Sequence, residues 1–371
     1  MTKKIIAIFG TRPEAIKFFS VIKKFKEKKK LFDFKICVTA QHREMLDMFL
    51  DIFDVIPDYD LDIMRDLQTL SQITTLAIKK IDDVLKKEKP DLVFVQGDTT
   101  TAFCGALSAF YNKIKVAHIE AGLRSFDKFQ PFPEEINRKL ISCISDFNFA
   151  PTKISKKNLI NEGINKSTIY ITGNTSIDAA KFAYKKDYIF KNKILNKINF
   201  FKNKIILITV HRRENFGEPI KNVFNSILKL AQENKNLIFI YPVHRNPNVL
   251  LVANSMLSDR KNIILIPPLD FFDMQNLLSR CFFIMTDSGG LQEEATVFNK
   301  PVLVLREKTE RIDGLLNNSL KLVGTETNKI INSFNNLLKN KKIYNSMLNS
   351  KNIFGDGRSG EKIYKIISKK L

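Results

Sequence analysis

Short apolar runs recur along the whole chain, and between them lie longer stretches whose apolar positions fall three and four residues apart. Continuous apolar runs read as strands buried on both faces, and the 3.6-residue period reads as amphipathic helices. Their alternation is that of repeated β-α units and a parallel sheet. In the first half the pattern predicts strands over 5–9, 34–39, 60–63, 92–95, 116–119, 147–150 and 169–172, and helices over 13–28, 42–53, 71–87, 101–111 and 133–144. In the first helix Ala15, Ile16, Phe19, Val21, Ile22 and Phe25 fall on or near one side. The segment 176–204, rich in Lys, Asn and aromatic residues, has no strand pattern and reads as a helix plus a linker. A fresh series follows, with strands over 205–210, 237–241, 263–266, 282–286, 302–305 and 320–323 and helices over 219–233, 271–278, 291–298, 327–338 and 361–371. No repeat of about 20–50 residues is present. The expected fold is α/β: two doubly wound Rossmann-like domains, the first over 1–173, facing a central cleft, with ligands at the carboxyl ends of strands.

Composition narrows the class. A chain of 371 residues exceeds one ordinary core, which fits two domains. No stretch reaches the roughly 18 apolar residues of a membrane span. The N-terminal apolar run ends by Gly10 and meets Arg12 and Glu14, as a first strand does and a signal peptide does not. Cys37, Cys104, Cys143 and Cys281 show no CxxC spacing and read as buried, reduced thiols of a cytoplasmic protein. A net charge of +21 raises the question of nucleic acid. The lysines, however, are scattered over helix backs, without interleaved aromatics or a helix-turn-helix or zinc-finger pattern, so neither nucleic acid nor membrane is expected as a partner.

Candidate chemistry sits where strands end. Asp98 and Glu120 follow two apolar runs, and Glu134 opens the helical segment PEEINRKL; three carboxylates in one stretch suggest acid–base work. Each alone has a plain reading, as an N-cap or a first-turn acid. After the first strand, Gly10-Thr11-Arg12-Pro13-Glu14 is not a GxGxxG fingerprint, so no nicotinamide cofactor is expected. Arg12 and Lys17 there place cations near a helix N-terminus, where phosphate binds. His118-Ile119-Glu120 lacks metal-ligand spacing and no metal is expected; a core histidine bonded to backbone is the plain reading of His118 and of His244. In the second half His211-Arg212-Arg213 ends a strand in a way that suits a diphosphate. Ser288-Gly289-Gly290 opens a helix with exposed amides for an anion, and Glu294, about one turn on, suits ribose hydroxyls.

The motifs GTRPEAIK, TAQHREML, GDTTT, HIEAGLRS, FPEEINR, GNTSIDA, TVHRRENFG, PVHRNP, TDSGGLQEEA and KTER occur in this order. Together they closely resemble the non-hydrolysing UDP-N-acetylglucosamine 2-epimerases of bacteria, from Lys4 to about Gly324. The resemblance implies the glycosyltransferase-B type of two-domain fold, with the C-terminal helix returning to the first domain, hence domains over 1–173 with 354–371 and over 174–353. It implies reversible epimerisation of UDP-GlcNAc to UDP-ManNAc, by anti-elimination of UDP and re-addition to a 2-acetamidoglucal, for surface polysaccharide synthesis by a cytoplasmic homodimer without a cofactor. By motif, Asp98, Glu120, Glu134 and His211 are its catalytic residues. Arg12, Lys17, Asp98, Glu120, His211, Ser288, Gly289, Gly290, Glu294 and Arg311 are its UDP-sugar contacts, and Gln41 and His42 match an allosteric segment.

The chain departs from the family pattern at Ile312-Asp313, where Pro-Glu is usual, and at Met274, where an aromatic is common near the uracil. Glu44 and Leu67 replace the Gln and Arg of strongly regulated members. The rival readings are a hydrolysing epimerase releasing ManNAc and UDP, a 2-epimerase for a modified UDP-sugar, a glycosyltransferase, and an anion- or RNA-binding protein. Arg12-Pro13-Glu14 favours the non-hydrolysing branch over the first.

Overall fold

A computed structural model describes residues 2–28, 31–40, 53, 55–65, 68–350 and 352–371. The expected helix 42–53, apart from Phe53, and the motif residues Gln41, His42, Glu44 and Leu67 lie outside the described residues. The chain divides into two units, Met1–Ala179 with Phe354–Leu371, and Ala180–Ile353.

The first unit is built on seven strands: β1 (Lys3–Phe9), β2 (Phe32–Val38), β3 (Tyr59–Asp60), β4 (Leu92–Gln96), β5 (Lys115–Ile119), β6 (Phe147–Ala150) and β7 (Ile169–Ile171). They run parallel in the order β3-β2-β1-β4-β5-β6-β7. The order reverses direction between β1 and β4, so the turns that leave these two strands lie side by side at the sheet's carboxyl edge, the switch point where open α/β sheets bind ligands. Ile6, Ile8, Val93 and Val95 pack with Ile73, Ala77 and Ile81 of the helix Leu70–Glu88. On the other face Phe25 stands among Phe32, Phe34, Phe94 and Tyr364, with ring centres 5.1, 5.1, 5.6 and 5.2 Å away. Tyr364 comes from the last helix, Ser359–Lys370, which packs on the helix Arg12–Lys26.

The second unit has six parallel strands: β8 (Lys204–Thr209), β9 (Leu237–Pro242), β10 (Ile263–Ile266), β11 (Phe283–Thr286), β12 (Val302–Val304) and β13 (Leu320–Leu322). Their order is β10-β9-β8-β11-β12-β13, which puts a second switch point between β8 and β11. The core joins Ile206, Ile208, Phe239, Tyr241, Phe283 and Met285 to Val223, Phe224 and Phe334 from its covering helices.

Three expectations need correction. The segment after Ala183 is not a free linker: Asp273 accepts from Tyr188 Oη and from the Lys191 and Asn192 amides, each at 2.9 Å, and binds it to the second unit. Cys143 is exposed, whereas Cys37, Cys104 and Cys281 are buried, with burial pushing each of those thiols up to about 12. Helices Lys153–Asn161, Pro247–Leu257 and Lys341–Leu348 were absent from the sequence-based expectation.

Candidate active site

In the first unit the turn after β1 is closed by Gly10, where a Cβ would collide with the Thr39 hydroxyl and lie 2.6 Å from that of Thr101. The helix Arg12–Lys26 then begins, with Arg12 half-buried at its first position and Glu14 folded back on the turn. Glu14 Oε2 accepts from the Gly10 and Thr11 amides at 3.1 and 2.8 Å and from Thr11 Oγ1 at 2.7 Å. Its Oε1 accepts from Thr99 Oγ1 at 2.7 Å, which ties the β1 turn to the β4 turn carrying Asp98. Burial pushes this carboxyl up to about 7, against the opposing pull of Thr99, Thr11 and the two amides.

Glu120 leaves β5 with φ +66°, a left-handed conformation uncommon for a residue with a side chain. Its carboxylate receives Lys17 Nζ at 2.6 Å on both oxygens, Gln96 Nε2 at 2.6 Å and Asn174 Nδ2 at 2.7 Å. Gly97, at φ +68°, makes room for it: a Cβ there would lie 3.3 Å from Glu120 Oε2. Lys17, expected as a contact of the UDP-sugar, is thus placed on Glu120. The residue after Gly97, Asp98, has a quarter-exposed side chain that pairs with Arg138, and its carbonyl accepts from Asn137 Nδ2 at 2.9 Å. Both partners come from the helix Glu134–Ile144, so Glu134 at its start and Asp98 are positioned by one element. Glu135 acts on the backbone instead. Fully buried, it accepts from the Ser125 and Phe126 amides at 3.0 and 3.1 Å and holds the preceding loop. His118 is buried and donates from Nε2 to the Gly97 carbonyl at 2.7 Å; burial lowers its pKa to about 4, so the ring is neutral at pH 7.

In the second unit the turn after β8 carries His211. The ring stacks on His244, which is exposed and not the core histidine expected, with centres 5.2 Å apart and planes at 15°. Burial lowers the His211 pKa, as do Arg212 and His244, while Asp287 opposes them. The amides of His211 and Arg212 donate to Asp287 and so turn away from an external anion, each at 2.8 Å. Beside them, at the end of β11, Ser288 precedes the helix Gly289–Val297, whose first amides have no intrahelical acceptor. A Cβ on Gly289 would lie 3.0 Å from Arg311 Nη1. Arg311 is buried and pairs with Glu293 at 2.9 Å and with Glu310, placing a cation under this helix start. Glu294 accepts from Gln275.

Each unit therefore gathers its candidates at its own switch point: Arg12, Lys17, Asp98, Glu120 and Glu134 in the first, His211, Ser288, Gly289, Gly290, Glu294 and Arg311 in the second. Sequence reasoning missed Glu14, Gln96, Arg138, Asn174 and Asp287. Arg138 carried a signal, one turn beyond Glu134 on the same helix, and Asn174 lay inside the GNTSIDA motif. Among the described residues no group of three His, Cys, Asp or Glu side chains could hold a metal ion, and no helix is long and apolar enough to cross a membrane.

A sequence model of the family described as UDP-N-acetylglucosamine 2-epimerase matches residues 23–368. The chain belongs to the UDP-N-acetylglucosamine 2-epimerase family. Among curated members of this epimerase family, the UDP-N-acetylglucosamine 2-epimerase of Bacillus subtilis is 44% identical over 360 residues, covering 97% of this chain and 93% of the relative. The UDP-GlcNAc 2-epimerase of Neisseria meningitidis, solved bound to UDP-GlcNAc, superposes with a TM-score of 0.93 at 45% identity, covering 99% of this chain and all of that one. The S. aureus protein MnaA, solved as a co-structure with UDP, gives a TM-score of 0.93 at 46% identity over 99% of this chain and 96% of its own. The epimerase fold is thus two parallel-sheet Rossmann-like units, each with its strand-end chemistry.

Proposed function

We propose that this chain interconverts UDP-GlcNAc and UDP-ManNAc without releasing free sugar. The observation that carries the reading is the clasp on Glu120: a lysine and two amides converge on one strand-end carboxylate, next to the turn that bears Asp98. A carboxylate held by an ammonium and two amide donors is held as an anion, the form that can take a proton.

The C2 hydrogen of the sugar is barely acidic, so departure of UDP leads or accompanies its removal. The C1–O bond breaks, its electron pair leaves with UDP, a carboxylate takes the C2 proton and a C1=C2 double bond forms. UDP then adds back to C1 of the 2-acetamidoglucal while C2 is protonated on the opposite face. Two faces require more than one acid–base group, and Asp98, Glu120 and Glu134 supply them. Arg12, His211 and the helix-start amides at Gly289 and Gly290 stabilise the departing diphosphate, with Glu294 on the ribose, while the Ser288 amide donates to Thr286 Oγ1 at 2.9 Å and sets the turn. Elimination and re-addition leave the oxidation level unchanged, so no redox cofactor is invoked. By family resemblance the enzyme is a cytoplasmic homodimer serving surface polysaccharide synthesis.

The test is incubation with UDP-GlcNAc in D2O, followed by NMR. UDP-ManNAc carrying deuterium at C2 is expected. Free ManNAc as the main product would replace this reading by the hydrolysing one, and an unchanged substrate would sink both.

A further inference from the structure

Asp287 directly follows β11 and is fully buried, yet its two oxygens do different work. Oδ2 accepts from the His211 and Arg212 amides at 2.8 Å each and from Asn215 Nδ2 at 3.0 Å. The same Asn215 nitrogen donates to the Leu305 carbonyl at 3.0 Å, anchoring the turn to the end of β12. Oδ1 receives no hydrogen bond among the described residues and faces His211 Nδ1 at 3.6 Å, an ion-pair distance. Were Asp287 only a fastener for the 211–215 turn, one oxygen would suffice, and a buried carboxylate oxygen without a donor would be costly. The ring's other neighbours are the stacked His244 and the guanidinium of Arg212, which both oppose a charge on the imidazole. Tyr241, also near Asp287, donates its hydroxyl to the Val210 carbonyl at 2.7 Å.

We propose that Asp287 is the positioning residue for His211, fixing its backbone through Oδ2 and the tautomer and charge of its ring through Oδ1. A carboxylate beside Nδ1 holds the proton of the neutral ring there and leaves Nε2 as the working nitrogen; when the ring is protonated, Nε2–H becomes a donor to an anion. The consequence for turnover rests on the epimerase reading above, in which that anion is the departing diphosphate. The pairing itself does not.

Asp287→Asn separates the two roles, because the amide oxygen still accepts the three donors while the charge beside Nδ1 is gone. Histidine-labelled protein followed by NMR, with His211 assigned by the loss of its signals in His211→Gln, reads the ring directly. The expected result is a His211 titration midpoint lower by about one unit or more in Asp287→Asn, with the melting temperature near that of the wild type. A fall in kcat for UDP-GlcNAc with little change in KM should accompany it. The wild-type protein gives a second reading that needs no variant: 15N shifts at high pH should report the Nδ1–H tautomer. An unmoved midpoint in folded Asp287→Asn, or an Nε2–H tautomer in the wild type, overturns the proposal. A moved midpoint together with full activity in His211→Gln supports the pairing and overturns its role in the epimerisation.

Discussion

At the start of the first helix, Glu14 is 2 % exposed and joins the β1 turn to the β4 turn. Burial raises its folded pKa from 4.5 to about 7. For a raised carboxyl, the full stability is present below the unfolded value and is lost as pH rises through the folded one. The window is therefore pH 4.5 to about 7, and the loss is on the order of 3 kcal/mol above it. Glu14→Gln mimics the protonated carboxyl, so its melting temperature relative to the wild type should climb across that window. A difference that stays flat from about pH 4 to pH 8 would show that Glu14 does not titrate there. Asp98→Asn and Glu120→Gln belong to the same scale. Each removes an acid or base at nearly unchanged size, so steady-state turnover should fall by about 100-fold or more with the far-UV spectrum unchanged. Wild-type turnover in either variant removes that residue from the mechanism.

Helices and strands were legible wherever burial is one-sided or complete. The strands at 147–150 and 263–266 read true to the residue because turn residues bound them, Ser145-Asp146 and Pro151 about the first and Lys261-Asn262 and Pro267-Pro268 about the second. The helix Lys153–Asn161 was not legible, since only Ser155 and Leu159 are buried and no apolar stripe exists to see. Pro247–Leu257 hid for the opposite reason: it is apolar nearly all round, with Leu250 and Leu251 exposed, and only Asn246-Pro247 marks its start. Lys341–Leu348 follows directly on Thr327–Lys339, with Asn340 closing one helix and capping the next. In the site, the acids were readable from strand ends, but their partners were not, because Gln96, Arg138 and Asn174 reach Glu120 or Asp98 across the sheet edge from distant sequence. Long-range closeness also governs the last helix. Its Ser359 and Gly360 amides donate to Asp178 at 3.1 and 2.9 Å, and a Cβ on Gly360 would come within 2.7 Å of the Ser20 backbone. Helix propensity alone favours Gly360→Ala by up to about 1 kcal/mol. Overpacking against Ser20 should reverse that sign and cost about 1–3 kcal/mol, seen as a lower melting temperature. An equal or higher melting temperature would mean the two helices have room to part.

For the whole chain, the net charge of +21 is spread over exposed lysines, many in surface pairs such as Lys24–Glu27 and Lys86–Asp82 that add little stability. What organises the molecule is how the chain is shared between its units. Unit one is discontinuous: residues up to Ala179 need Phe354–Leu371 to complete them. Unit two is a single run, Ala180–Ile353, that contains all six strands β8–β13, the Asp287 clasp and the Ser288–Gly290 turn. Its core lies wholly within that run, so the fragment 180–353 should fold alone and melt cooperatively. A fragment ending at 179 lacks the helix that covers Phe25 and satisfies Asp178, and should melt lower or aggregate. If the amides after Ser288 form the diphosphate cradle, calorimetry on fragment 180–353 should show UDP binding tighter than uridine, because only the diphosphate meets the positive helix end. Equal affinities in a folded fragment would move the cradle away from Ser288–Gly290 and leave Arg311 under Gly289 as part of an internal ion-pair network alone.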